Sequence, residues 1–94
     1  MSLQFEWDPQ KAASNLRKHG VSFSEAATVF RDRLSITIAD PDHSLEEQRS
    51  ITIGWSERHR LLMLAHTTRG DRIRIMSARE LTRSEREAYE EEHL

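Results

Sequence analysis

The sequence feature that most constrains the fold of this chain is the order of its segments. Four strand-like runs follow one another between residues 34 and 78. Apolar and polar residues alternate along residues 34–39 and 49–55, which is the pattern of a half-buried strand. The third run, residues 60–67, contains Leu61-Leu62-Met63-Leu64, which is apolar on both faces as in a central strand, and residues 71–78 form the fourth run. Short turns between successive runs predict an antiparallel meander.

Helical segments precede these runs. A short alternating piece at residues 5–7 predicts an edge strand. Asp8 followed by Pro9 is the combination of an N-cap and a first helical residue, so we expect a helix over residues 9–18. Gly20 is suited to end that helix, because glycine readily adopts the left-handed conformation found after helix C-termini.

Two capping boxes predict two further helices. Ser22 and Glu25 are spaced to satisfy each other's backbone donors at the start of a helix that extends to about residue 30. Thr82 and Glu85 repeat this spacing before a helix that ends near residue 91 and carries little apolar surface. We therefore expect one α+β domain over residues 1–94, with a short N-terminal strand, two helices, a four-stranded antiparallel meander and a weakly packed C-terminal helix.

Arginine dominates the basic residues of the chain. Six arginines lie between residues 58 and 79 beside one acid, Asp71, whereas residues 80–94 hold six glutamates and two arginines. In a chain of net charge −2, this asymmetry suggests a local anion site rather than a general nucleic-acid coat. The planar guanidinium group suits paired contacts to phosphate, although a solvated surface with salt bridges is the simpler interpretation of any single arginine.

Composition also narrows the class of protein. The absence of cysteine excludes disulfides and thiolate metal sites and favours the cytoplasm, and no apolar run reaches membrane-spanning length. His43 lies near Asp40 and Asp42 but lacks the ligand spacing of a zinc site, so we expect no metal and no other cofactor. Glu46 and Glu47 are either a carboxylate base or part of a solvated loop.

Alternation within the strands predicts which residues share a face of the sheet. We expect the helices to cover the isoleucines at positions 36, 38, 51, 53, 73 and 75. The opposite face then presents small hydroxyl side chains, among them Thr52, beside Arg72 and Arg74. Such a surface can hold a phosphate backbone, but antiparallel sheets also commonly leave one face to water.

Short blocks spread in order over nearly the whole chain form one further pattern. They are Phe5-Glu6-Trp7-Asp8-Pro9, Lys18-His19-Gly20-Val21, Ile53-Gly54 with Ser56, the segment from Ile73 to Arg79, and Glu85-Arg86 with Tyr89. Together these blocks resemble the BrnT family of ribonuclease toxins. Two positions depart from the family pattern, since Arg33 stands where proline is frequent and His59 stands where a hairpin glycine is common.

The resemblance implies a RelE-like fold and an endoribonuclease that inhibits translation. It also implies a BrnA-type antitoxin as partner, with contact to DNA only through that antitoxin. The residues by themselves leave a second hypothesis open, in which the chain is a non-catalytic module that binds RNA or the antitoxin and acts as a transcriptional co-regulator.

Metal-independent RNA cleavage needs a base for the 2′-hydroxyl, an acid for the leaving oxygen and cations for the phosphate. Arg79, at the end of the last strand, is the leading candidate for phosphate stabilisation, and Arg74 is the second. His19 is a candidate acid or base and Lys18 a charge stabiliser, although cations at a helix C-terminus also offset the helix macrodipole.

Four further residues are candidates for RNA binding. Arg69 lies in a tight turn from which it can clamp a neighbouring phosphate, while Arg72 and Thr52 belong to the predicted polar face. Tyr89 either stacks on a base or anchors the last helix as its main apolar side chain.

Overall fold

A computed structural model of the chain describes residues 3–41 and 48–92. Their elements are β1 Gln4–Glu6, α1 Pro9–His19, α2 Phe23–Ala27, a 3-10 helix Thr28–Arg31, β2 Ile36–Ala39, β3 Arg49–Trp55, β4 Leu61–Arg69, β5 Arg72–Glu80 and α3 Arg83–Glu92. The predicted α+β class and the predicted order of elements are confirmed. The loop residues considered above for a metal site or for a base, His43, Glu46 and Glu47, lie outside the described residues.

The described strands form a five-stranded sheet in the order β1-β5-β4-β3-β2. Strands β2 to β5 pair antiparallel with their neighbours in sequence, as the short turns predict. Strand β1 pairs parallel with the start of β5, so the N-terminal strand extends the meander at its edge.

The helix ends follow local signals in the sequence. Asp8 caps α1 by accepting a hydrogen bond of 2.8 Å from the backbone N–H of Gln10, and Gly20 ends α1 at φ 70°. The predicted α2 is shorter than expected, because the chain tightens into the 3-10 helix after Ala27. Ser22 caps α2 as predicted, because its hydroxyl accepts from the N–H of Glu25 at 3.0 Å. The reciprocal half of the capping box is not formed by Glu25, whose carboxylate accepts hydrogen bonds from Arg60 in the β3–β4 hairpin.

The hydrophobic core lies between one face of the sheet and the layer formed by α1, α2 and the 3-10 helix. Its buried residues are Val21, Phe23, Ala26, Val29, Leu62, Leu64, Ile73, Ile75 and Ala78. We call the opposite face the open face; it is lined by Ile36, Ile38, Ile51, Ile53, Met63, Ala65, Ser77 and Arg79. Helix α3 lies against the open face, over Ile36, Ile53 and Met63.

The faces predicted for β2 and β3 are wrong. Thr52 is aligned with the core residue Leu64 and is fully buried, whereas Ile53 belongs to the open face. The close approach of the helical layer explains the reversal, because a Cβ added at Gly54 would lie 3.0 Å from the side chain of Val29. Small residues are required on this side of β3, and the isoleucines take the other side.

A chain of hydrogen bonds satisfies the Thr52 hydroxyl, which β3 buries in the core. The Thr52 hydroxyl lies 2.7 Å from the Thr37 hydroxyl and 2.7 Å from Nε2 of His66. The His66 ring also stacks edge-on against Phe30, with 5.0 Å between the ring centroids. Burial lowers the pKa of His66, so this histidine is a neutral core residue.

A β-bulge in β5 decides which side of the sheet Arg79 faces. The register shifts between Ala65 and His66 on β4, so that Met76 on β5 has no direct partner. Strict alternation would point Arg79 to the same side as Ile75, into the core. The extra residue reverses the phase of the strand and brings Arg79 to the open face.

Candidate functional site

A cavity of about 270 Å³ opens beside the C-terminus of α1, at the edge of the open face. It is lined by His19, Ile51, Met63, Ala65, Ser77, Ala78 and Arg79. Two of the predicted catalytic residues, His19 and Arg79, therefore lie at one cavity although they are far apart in sequence. The floor is apolar, so the polar side chains at its rim are His19, Ser77 and Arg79.

Asn15 fixes the end of α1 against β5 and thereby positions His19. Its side chain donates to the carbonyl of Ala78 at 2.8 Å and accepts from the N–H of Ala78 at 3.1 Å. It also donates to the carbonyl of Val21 at 2.9 Å. Asn15 thus pairs with the edge of β5 as a further strand would, beyond the segment that β1 covers. The signal in the sequence that could have identified this role is that Asn15 is a polar residue on the inward side of α1.

Arg79 is held by four hydrogen bonds. Its Nη1 donates to Oε1 of Glu85 at 2.8 Å and to the carbonyl of Glu80 at 3.1 Å. Its Nη2 donates to Oε2 of Glu85 at 2.9 Å and to the sulfur of Met63 at 3.3 Å. The Arg79 side chain remains 37% exposed, so the guanidinium borders both the cavity and solvent.

Glu85 is the acid partner of Arg79 and part of the cap of α3. Hydrogen bonds from Arg79 and from the backbone of Thr82 lower the pKa of Glu85 to about 2. The N–H of Thr82 donates to the Glu85 carboxylate at 2.8 Å, and the Thr82 hydroxyl accepts from the N–H of Glu85 at 3.3 Å, so this predicted capping box is confirmed. Glu85 is therefore ionised at all pH values near neutrality. The capping hydrogen bonds at the start of α3 hold its side chain in position.

Ser77 was missed by sequence reasoning. It is exposed and lines the cavity together with His19 and Arg79. Alternation from Ile73 and Ile75 predicts that Ser77 faces inward, and the bulge at Met76 reverses this. No local signal in the sequence marks that bulge.

A model of the family described as "Ribonuclease toxin, BrnT, of type II toxin-antitoxin system" matches residues 7–85 of the chain. The chain belongs to the BrnT family. The matched region contains the whole cavity lining together with Glu85, and it ends within α3.

The fold of the BrnT family is also seen in the comparison with solved structures. The chain is similar to the crystal structure of the Brucella abortus ribonuclease toxin BrnT, with a TM-score of 0.68 and 16% sequence identity. The similarity covers 87% of this chain and 100% of the Brucella chain. No match was found among curated protein sequences.

The other arginines predicted for the BrnT site form a separate group at the far end of β5. Arg74 donates to Glu6 at 3.1 Å, and Arg72 lies 3.7 Å from the same carboxylate. Arg69 is exposed at the end of β4, directly across from Arg72. Arg74 and Arg79 are five positions apart along β5, roughly 15 Å, and pair with different acids, Glu6 and Glu85, so the two guanidinium groups do not meet at one phosphate.

The predictions that Thr52 and Tyr89 contact RNA directly are wrong, because both side chains are buried. Thr52 is buried in the core and hydrogen-bonded there, because β3 presents its small residues to the helical layer. Tyr89 is 7% exposed, and its hydroxyl donates to the carbonyl of Leu34 at 3.1 Å. Tyr89 therefore anchors α3, as the structural alternative proposed.

Lys18 is exposed in the last turn of α1, next to His19.

Within residues 3–41 and 48–92, no three histidine or acidic side chains gather in a way that would hold a metal ion. In the same part of the chain, none of the helices has the length and apolar character needed to span a bilayer.

Proposed function

We propose that this BrnT-family chain is an endoribonuclease toxin that cleaves RNA without a metal. The observation that supports this most is the cavity on the open face, where His19, Ser77 and Arg79 surround an apolar floor. A volume of about 270 Å³ lies just below the range of about 300–1,000 Å³ for small-molecule sites. The cavity is therefore suited to a single nucleotide unit of a longer strand.

The chemistry we propose is attack of a ribose 2′-hydroxyl on the adjacent phosphorus. The oxygen–phosphorus bond to the 5′ oxygen of the next nucleotide breaks, giving a 2′,3′-cyclic phosphate and a 5′-hydroxyl. His19 serves this step by taking the 2′-hydroxyl proton or by supplying the leaving oxygen's proton, and solvent water exchanges the other proton. Arg79 stabilises the charge that develops on the phosphoryl oxygens, which is the role arginine fulfils best.

Several exposed cations provide a path for the rest of the RNA strand. Lys18 adds positive charge beside His19, and Arg69, Arg72 and Arg74 lie at the other end of β5. Contacts of this kind bind phosphates without reading sequence and weaken with rising salt. We assign Arg79 and His19 to catalysis, and the distant arginines, Arg74 among them, to backbone binding.

We further propose that RNA cleavage in the cytoplasm inhibits translation and that a BrnA-type antitoxin neutralises the single toxin domain. Membership of a type II toxin family supports a protein antitoxin as the partner. Any contact of the complex with DNA then belongs to the antitoxin, because no helix of the described residues is a basic recognition helix.

The proposal is tested by incubating the purified protein with a structured RNA in the presence of EDTA. We expect cleavage, a loss of about 100-fold or more in His19→Ala, and a similar loss in Arg79→Ala. Arg83→Ala is the matched control, because Arg83 is 93% exposed and pairs within α3, and it should cleave as the parent does. Cleavage that requires a divalent cation, or that survives in both site variants, contradicts the mechanism.

One observation favours a second candidate function, a non-catalytic module that binds RNA or antitoxin and acts as a co-regulator. Arg79 already has an acidic partner in Glu85, and Arg74 has one in Glu6. The same assay distinguishes the two functions, because a binding module retains tight RNA binding while the RNA stays intact.

A further inference from the structure

Most of the guanidinium N–H donors of Arg79 already make hydrogen bonds within the protein. A guanidinium group carries five N–H donors, and four of them contact Glu85, Glu80 and Met63. Among the described residues, only the Nε hydrogen is left for another ligand. A phosphate that is to receive two parallel hydrogen bonds from Arg79 therefore has to replace an existing partner.

Glu85 is the partner that a phosphate would replace. Its two carboxylate oxygens bind Nη1 and Nη2 at 2.8 and 2.9 Å, which is the forked arrangement that guanidinium groups also make with phosphate. The Arg79 side chain is 37% exposed and Glu85 is 32% exposed, so the pair is open to competition from solvent. The forked geometry makes this a well-formed pair, so a phosphate has to compete directly with the Glu85 carboxylate.

The helix that carries Glu85 is held to the sheet by few contacts. Below α3 lies a groove of about 230 Å³, lined by Ile36, Ile53 and Met63 on the sheet side. Tyr89 is the buried anchor of α3, and Arg86 lies 5.2 Å from the ring centroid of Trp55. The ion pairs of Arg83 and Arg86 stay within α3 itself and do not tie it to the sheet. The first turn of α3 can therefore move without disturbing the core.

We infer that Glu85 is an intramolecular competitor for the substrate phosphate, so that α3 holds the site in a self-inhibited state until RNA displaces the carboxylate. This inference rests on the proposed role of Arg79 as the phosphate-binding residue. In this state the toxin restrains its own activity through the contact between Arg79 and Glu85. Weakening that contact should therefore increase RNA binding.

Glu85→Gln is the variant that tests the inference. Glutamine keeps the side-chain shape and can still cap the N–H of Thr82, but it removes the charge that binds Arg79. Glu87→Gln is the matched control, because it removes one charge from the same helix at an exposed residue paired with Arg83. Thermal melting of both variants measures any change in stability separately.

Binding is measured by fluorescence anisotropy with a labelled 2′-O-methyl oligoribonucleotide, which cannot be cleaved. We expect Glu85→Gln to bind about three- to tenfold more tightly than the parent, and Glu87→Gln to bind as the parent does. The gain should disappear when Arg79→Ala is added. Equal binding by Glu85→Gln and the parent, or a gain that survives without Arg79, overturns the inference.

A parallel cleavage assay with unmodified RNA separates this inference from the proposed function. Faster cleavage by Glu85→Gln supports both. Tighter binding of the probe without any cleavage supports the phosphate competition and contradicts the nuclease. Normal cleavage by both proteins with unchanged binding supports the nuclease and overturns the competition.

Discussion

Replacing Glu25 by alanine should destabilise the protein more than any comparable change on its surface. The Glu25 side chain is 3% exposed and accepts hydrogen bonds from Nε of Arg60 at 2.9 Å and from the Ser56 hydroxyl at 2.7 Å. Nη2 of Arg60 binds the second carboxylate oxygen and also the carbonyl of Gly20. Glu25 thereby joins α2, the end of α1 and the β3–β4 hairpin.

The expected loss in the free energy of unfolding follows from the Arg60 charge that the alanine variant would leave without its acidic partner. Removing one partner of a buried ion pair costs about 3–5 kcal/mol, because the other charge is left without compensation. Arg60 is 27% exposed, so water replaces part of the lost interaction and the lower end, about 3 kcal/mol, applies. For a domain of this size, such a loss corresponds to a melting temperature lowered by about 12–24 °C.

Urea denaturation at neutral pH measures this loss, with Arg60→Ala and the double variant completing a double-mutant cycle. The control is Glu57→Ala in the same hairpin, where the side chain is exposed and the free energy of unfolding should change by less than about 0.5 kcal/mol. A Glu25→Ala loss below about 1 kcal/mol, or strictly additive single losses, would refute the reasoning.

The pH dependence provides a second measurement on the same pair. The hydrogen bond from Arg60 is the largest of the effects that lower the pKa of Glu25 below its ordinary value of 4.5. Since the folded pKa is depressed, the stabilisation is present above about pH 4.5 and is lost as the pH falls through the folded value. The difference in stability between the parent and Glu25→Ala should shrink over that range.

Three further predictions concern other parts of the fold. Burial lowers the pKa of His66 below 6.5, so the protein should lose stability as the pH falls through that value, and urea midpoints of His66→Gln should lack this loss. Gly54→Ala should cost about 1–3 kcal/mol in chemical denaturation, because its Cβ would lie 2.8 Å from that of Ser35; an unchanged midpoint would count against the close packing of β3. His59→Gly should stabilise the protein by about 1 kcal/mol, since His59 has a φ of 62°; a lower melting temperature would contradict this explanation.

The composition of α3 leads to one more prediction about the partner. Because α3 contacts the sheet through few side chains, its amide hydrogens should exchange at a different rate when the antitoxin is bound. Hydrogen exchange of Arg83–Glu92 with and without antitoxin measures this. Full and equal protection in both states would show that α3 keeps its place.

Much of the secondary structure could be predicted because its signals are local. The caps at Asp8, Gly20 and Thr82 depend on side chains and backbone groups a few residues apart, and the structure contains all three. Alternation in the strands and the short turns between them likewise determined the meander. These features need no knowledge of distant contacts.

The sequence by itself therefore determined the elements, their order and, through ordered blocks of residues, the family. Only the tertiary structure decided that Thr52 lies inside, that Met76 forms a bulge and that His19 meets Arg79 at one cavity. The physical reason is that strand register and face depend on the volume available between layers and on partners elsewhere in the chain. The pairing of Arg79 with Glu85 is of the same kind, since it follows from where α3 lies on the open face.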